Sequence, residues 1–197
     1  MKSKYNHKSL FIFIALILLA ICTFMGCLFL YFKGNDSAEK NATVMISYAN
    51  QSSELTVDSS MPVTDAIGKQ LEYTPNQTKY GYSEFSLTSN MQGVDSVNYE
   101  IYAVPLGVAV ELPTEYVRMY LTDGDNDLPI VGYQEEIPSY RDLKVADSNL
   151  NGKQLYSGTL EKGETKNFTL RMWLDEMYPI TPEMRSFKIA LFVKVID

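Results

Sequence analysis

The stretch that decides the fold is "NFTLRMWLDE", residues 167–176. Large apolar residues alternate in it with polar ones, Phe168, Leu170, Met172 and Leu174 on one parity and Thr169, Arg171, Trp173 and Asp175 on the other. This period of two predicts a β-strand with one face on a core. The only tryptophan of the chain, Trp173, falls on the polar parity and therefore needs a separate explanation.

The same alternation recurs along the chain after residue 43. Turn-forming residues separate these stretches, and "EKGE" at residues 161–164 is the clearest such turn. The predicted strands are 43–49, 80–90, 96–106, 116–123, 154–160, 165–175 and 186–196.

Seven short strands without a long amphipathic helix between them predict an all-β fold, an antiparallel β-sandwich of Ig-like or jelly-roll-like topology. The pattern does not choose between the two topologies. Residues 59–78 mix Pro, Gly and polar residues, and we expect no more than a short helical turn there, around residues 63–71.

Trp173 has two interpretations. We expect the last two strands to pair across the loop 176–185, which would bring Trp173 and Phe192 together on the outer, mostly polar face. A neighbouring loop then covers the two aromatic rings, or they form a contact face for a partner together with Arg171. Trp and Arg are enriched at interface hot spots, which keeps the second interpretation open.

A run of 23 uncharged, mostly apolar residues, 10–32, lies near the N-terminus. In a helix it would be roughly 35 Å long, enough to cross a bilayer core of about 30 Å. A cleaved signal peptide has a shorter apolar region, and a lipidated Cys27 would not be followed by "LFLYF". The sequence therefore predicts one transmembrane helix at 10–32, with cleavage and lipidation as the alternatives.

Three lysines precede this run and only Lys33 follows it closely. The positive-inside rule then predicts a cytoplasmic tail at 1–9 and an extracellular C-terminal part at the cell membrane. We expect a linker at 33–42 and the β-sandwich domain at 43–197.

After residue 33 the chain has 13 Lys and Arg against 24 Asp and Glu, a difference of −11. This balance disfavours nucleic acids and anionic membrane surfaces as partners. Both cysteines lie in the apolar run, so the predicted outer domain has no disulfide and must be held by its core.

Little in the sequence points to catalysis. The only histidine is His7, in the predicted cytoplasmic tail, and the chain has no HExxH, GxSxG or glycine-rich phosphate loop. We therefore expect no enzyme activity and no organic cofactor. The one candidate metal site is calcium at Asp123, Asp125 and Asp127, although the EF-hand pattern fails further along that loop.

The closing block, "TLEKGETKNFTLRMWLDE" followed by "SFKIALFVKV", resembles the TasA/camelysin-like surface proteins of Gram-positive bacteria, chiefly over residues 158–195. The resemblance implies an exported β-sandwich that builds matrix fibres or stays on the cell surface. Two departures limit it. The apolar segment looks uncleaved, unlike that of released fibre subunits. The domain also has no histidine for the zinc site of a metalloprotease.

These observations predict a single-pass membrane protein whose extracellular sandwich has a structural or protein-interaction role, with protein partners or self-association. One alternative is a tethered accessory or sensor subunit of a surface complex. Another is a calcium-dependent adhesin.

Overall fold

The computed structural model describes residues 41–49, 53–124, 136–146 and 151–196. The predicted membrane span, the tail and almost all of the linker lie outside these residues. The chain divides after Lys40, so the described residues belong to its second unit.

Within the described residues, nine strands and one short helix form the domain. The strands are β1 (Asn41–Tyr48), β2 (Glu54–Asp58), β3 (Pro62–Val63), β4 (Gly81–Gln92), β5 (Ser96–Leu106), β6 (Val117–Asp123), β7 (Lys153–Glu161), β8 (Thr165–Asp175) and β9 (Ser186–Ile196); the helix is α1 (Asp65–Gly68). Single 3-10 turns cover Thr114–Tyr116 and Tyr140–Asp142.

The strands form two sheets. The first has β1, β4, β8 and β6 in that order, because β8 pairs antiparallel with β4 on one edge and with β6 on the other. The short β3 runs parallel to the end of β8. The second sheet is antiparallel throughout, in the order β2, β9, β5 and β7. The predicted all-β fold with two sheets is confirmed.

The prediction that the last two strands pair is wrong. β8 lies in the first sheet and β9 in the second, and the loop 176–185 crosses between them. Each of the other connections between consecutive long strands also crosses from one sheet to the other. Among the described residues, therefore, no two consecutive long strands pair. An Ig domain contains hairpins between consecutive strands of one sheet, so this strand order is not that of the predicted Ig-like alternative.

One hydrophobic core fills the space between the sheets. Phe85 and Phe168 of the first sheet stack at 5.5 Å between ring centroids, and Phe168 meets Tyr99 of the second sheet edge-on at 6.5 Å. The apolar residues that alternate along β4, β5, β6 and β8 are buried there, which confirms the predicted strand patterns.

The two ends of the domain differ. At one end, which we call the turn end, short connections at 93–95 and 162–164 join the sheets, and Asn41 lies beside them through its pairing with Gln92. At the opposite end, the loop end, long connections at 59–80, 107–116 and 176–185 leave the strands.

Candidate interaction surface

The loop 176–185 at the loop end carries three large apolar side chains in solvent. Met177 is 75% exposed, Ile180 87% and Met184 64%. Single exposed apolar residues are common on proteins, whereas several on one short loop indicate a contact site. We call these three residues the apolar tip.

The first half of this loop is fixed by buried groups. The Met177 backbone N–H donates to Asp175 Oδ1 at 2.8 Å, and the Tyr178 N–H donates to the Asp175 carbonyl at 3.0 Å. Tyr178 is buried and packs edge-on against Tyr116 at 5.4 Å. The chain therefore leaves β8 in a defined turn, with one side chain anchored in the core.

The second half is held by the connection that follows β2. Ser59 and Arg185 form two hydrogen bonds, since the Ser59 N–H donates to the Arg185 carbonyl at 2.9 Å and the Arg185 N–H donates to the Ser59 hydroxyl oxygen at 3.0 Å. The Ser59 hydroxyl donates to Met184 Sδ at 3.6 Å. Arg185 also pairs with Glu183 at 2.8 Å. Both ends of the loop are thus tied to the sandwich, and the apolar tip is held between them.

A buried ion pair supports the start of the loop. Asp175 is buried, and the guanidinium of Arg118 on β6 donates from Nε to its Oδ2 at 2.5 Å. Arg118 Nη1 also donates to the Ile137 carbonyl at 2.9 Å. Because Asp175 accepts from Arg118 with one oxygen and from Met177 with the other, one carboxylate connects β6, β8 and the loop.

The exposed apolar residues concentrate toward the loop end. Ile67 on α1 and Val145 near the start of β7 are exposed there in addition to the apolar tip. Among the described residues, Met45 on β1 and Phe192 on β9 are the large apolar residues exposed elsewhere. The loop end therefore carries most of the apolar surface that this part of the chain presents.

Trp173 lies on the outer face of the first sheet, as its parity predicted, but it is 0% exposed. It forms a second hydrophobic cluster with Val63, Leu71, Tyr120 and Ile137. Gly68 of α1 lies directly on the indole, since a Cβ at that position would clash with Trp173 Cε2. The structure therefore shows the covered alternative for this tryptophan.

The other two predicted contact residues do not form a contact face with Trp173. Arg171 Nε donates to the Leu71 carbonyl at 2.8 Å, and its guanidinium lies over the Tyr82 ring at 5.5 Å, so it holds the covering segment in place. Phe192 is 43% exposed on the second sheet, opposite Tyr102. Arg171, Trp173 and Phe192 do not form one surface.

Asp123, the first residue of the predicted calcium site, ends β6 and is half-buried. Asp125 and Asp127 lie outside the described residues. Within the part of the chain that the structure describes, no three His, Cys, Asp or Glu side chains cluster as metal ligands. The calcium site stays a prediction.

Among the described residues, tyrosines are the ionisable groups with the largest pKa shifts. Burial raises the pKa of Tyr99 and of Tyr140 well above the usual range, and the Tyr140 hydroxyl donates to the Ala103 carbonyl at 3.1 Å. Burial raises the pKa of Tyr82 to about 12, and its hydrogen bond to Glu84 adds to the shift. These hydroxyls stay protonated at neutral pH and serve the packing.

A shallow groove of about 400 Å³ lies on the first sheet, beside the end of β1. Its rim includes the polar residues Ser47, Ser86 and Asn167, which are neighbours across β1, β4 and β8. Glu84 also lines the groove, and its carboxylate accepts a hydrogen bond from the Tyr82 hydroxyl.

The apolar tip was missed in the sequence, although a signal for it exists. "EMYPITPEMR" contains three large apolar residues and two prolines with no alternation, so it fits neither a strand nor a solvated polar turn.

Comparisons of the chain with protein-family models, with curated proteins and with solved structures find no match. No helix in the described ranges is long and apolar enough to cross a membrane.

Proposed function

We propose that this chain is a membrane-anchored cell-surface protein whose extracellular sandwich binds other proteins and has no catalytic role. The observation that carries the proposal is the ordered loop 176–185, which holds Met177, Ile180 and Met184 in solvent between anchors at Asp175 and Ser59. A fixed loop loses little conformational entropy on binding, so its apolar side chains suit a partner's pocket.

The charge of the chain favours a protein as the partner. The difference of −11 after residue 33 repels nucleic acids and anionic bilayers. Exposed Glu176 directly precedes the apolar tip, which suits an apolar pocket with a basic residue beside it. The proposed partner surface therefore combines both features.

The predicted span at 10–32 supplies the anchor in this proposal, with the N-terminus in the cytoplasm. The chain then enters the domain at Asn41, at the turn end, and the apolar tip is at the loop end. The resemblance to TasA/camelysin-like surface proteins supports the same location. The tethered accessory subunit predicted from the sequence is compatible with this site, because such a subunit also needs a docking loop.

A second candidate function is self-association of copies. It is favoured by β1, which pairs only with β4 among the described residues and so leaves one edge open to an added strand. The last strand is not available in this way, because β9 lies between β2 and β5.

Site-specific photo-crosslinking tests the proposal. A photoreactive phenylalanine analogue replaces Ile180 in the full chain, produced in its own cells, and a matched chain carries it at Lys162 in the turn at the opposite end. We expect a discrete adduct with another protein from position 180 and none from position 162. Equal adduct patterns from both positions would refute the docking role of the loop. An adduct with the mass of two chains would favour self-association instead.

A further inference from the structure

Two of the three residues of the apolar tip are methionines. Met177 and Met184 are more than half exposed, whereas Met91, Met119 and Met172 are buried in the core. A thioether in solvent is readily oxidised, and the sulfoxide replaces an apolar group by a polar one. Leucine or isoleucine would give the loop the same apolar surface without this reactivity.

Both methionines are exposed, so their side chains have room for the added oxygen atom. Met184 Sδ accepts a hydrogen bond from the Ser59 hydroxyl at 3.6 Å. A sulfoxide oxygen is a stronger acceptor than a thioether sulfur, so the same hydroxyl remains a suitable donor after oxidation. The loop itself is held by hydrogen bonds from the backbone N–H groups of Met177 and Arg185, and sulfur takes no part in these bonds. Oxidation therefore changes the surface of the loop and leaves its anchors in place.

We propose that Met177 and Met184 are a redox modification site, at which a peroxide converts the apolar tip to a polar surface and releases the bound partner. This proposal rests on the docking function of the loop. Hydrogen peroxide transfers one oxygen atom to each thioether sulfur, which is thereby oxidised by two electrons. The other oxygen atom of the peroxide is released as water. Reversal takes two electrons from a thiol-dependent sulfoxide reductase, and the sulfoxide oxygen leaves as water.

Peptide mass mapping of the full chain after graded hydrogen peroxide tests the site. We expect one added oxygen on Met177 and on Met184 to accumulate on the order of tenfold faster than on Met119 and Met172, because the buried sulfurs react only when the core opens. Equal rates at the loop and core methionines would overturn the assignment. Met45, which is 54% exposed on β1, is the exposed reference outside the loop.

Crosslinking from position 180 in peroxide-treated cells tests whether oxidation releases the partner. The measured quantity is the yield of adduct with peroxide divided by the yield without it. We expect the adduct to be lost from the wild-type loop and from a Met45→Leu chain. In a Met177→Leu/Met184→Leu chain the ratio should stay near one, whatever its untreated yield. That variant also controls for oxidation of the partner.

The outcomes separate this inference from the function on which it rests. An adduct that survives confirmed oxidation of both methionines overturns the switch and leaves the docking function intact. Equal loss in the wild type and the double leucine variant also overturns the switch, because the partner is then the oxidised component. No adduct from position 180 in untreated cells refutes the docking function itself.

Discussion

Trp173 and Phe192 occupy equivalent places in the sequence, each an aromatic residue on the polar parity of a late strand, yet they differ fully in exposure. Trp173 is 0% exposed and Phe192 is 43% exposed. The long connection 59–80, with α1, folds over the outer face of the first sheet, whereas Phe192 on the second sheet is left open. Parity fixes the face on which a side chain lies. The length and path of the neighbouring connections decide whether that face is covered.

The largest effect is expected from removing the covered aromatic. Trp173→Ala should lower the free energy of unfolding by about 3–5 kcal/mol, because it leaves a large cavity under α1. The matched change Phe192→Ala should cost about 1 kcal/mol or less. Trp173→Phe should lie between them, since the buried indole N–H has no hydrogen-bond partner among the described residues. Urea unfolding of the full chain, followed by circular dichroism, measures all three.

Similar losses from the two alanine variants would contradict this comparison. They would mean that the second hydrophobic cluster adds no more to stability than an open surface does.

Most of the strands could be predicted from the alternation of apolar and polar residues. All seven predicted strands are present, because alternation records which face meets the core, and Phe85, Leu87, Tyr99 and Ile101 are buried as their parity required. β2 and β3 were missed. β2 alternates over only five residues, which is a weak signal, and β3 is a two-residue strand that begins at Pro62.

Strand pairing was not predictable from these patterns. β8 and β9 are neighbours in the chain and both alternate, and a ten-residue loop permits either a hairpin or a crossing between sheets. The choice depends on long-range packing of the two sheets, which no local pattern records. The predicted contact face failed for this reason, because it assumed that β8 and β9 pair.

The second comparison is between the Arg118–Asp175 ion pair, whose carboxylate is buried and supports the start of the loop 176–185, and the exposed Arg185–Glu183 pair in that loop. Asp175→Asn removes the charge that Arg118 faces, and because that hydrogen bond is charge-assisted we expect a loss of about 1.5–3 kcal/mol. Glu183→Gln removes the exposed partner of Arg185 and should cost about 1 kcal/mol or less. Thermal and urea unfolding of both full-length variants measure the difference. Equal effects would show that burial adds nothing to the Arg118 pair.

The smallest effect concerns Asp58, which fastens the two ends of the segment that covers Trp173. Its Oδ1 accepts from the Ser60 N–H at 2.9 Å, and its Oδ2 accepts from the Thr78 hydroxyl at 2.8 Å. Burial tends to raise the pKa of Asp58, but the hydrogen bonds from Ser60 and Thr78 outweigh it and hold the pKa below its ordinary value of 3.8. A lowered pKa in the folded state means that the charged carboxylate stabilises the fold above pH 3.8, and that this contribution is lost as the pH falls further.

Asp58→Asn should therefore lower stability at neutral pH and flatten the loss of stability below pH 3.8. The fluorescence of the single tryptophan reports directly on whether the segment 59–80 still covers it. In the wild type this fluorescence should therefore shift toward that of a solvated indole in the same acid range. Asp95→Asn is the control, because it removes an exposed carboxylate from the turn end. If the pH profile of Asp58→Asn follows that of the wild type and of Asp95→Asn, Asp58 does not hold the segment 59–80 over Trp173, and other contacts hold it, such as the Arg171 hydrogen bond to the Leu71 carbonyl.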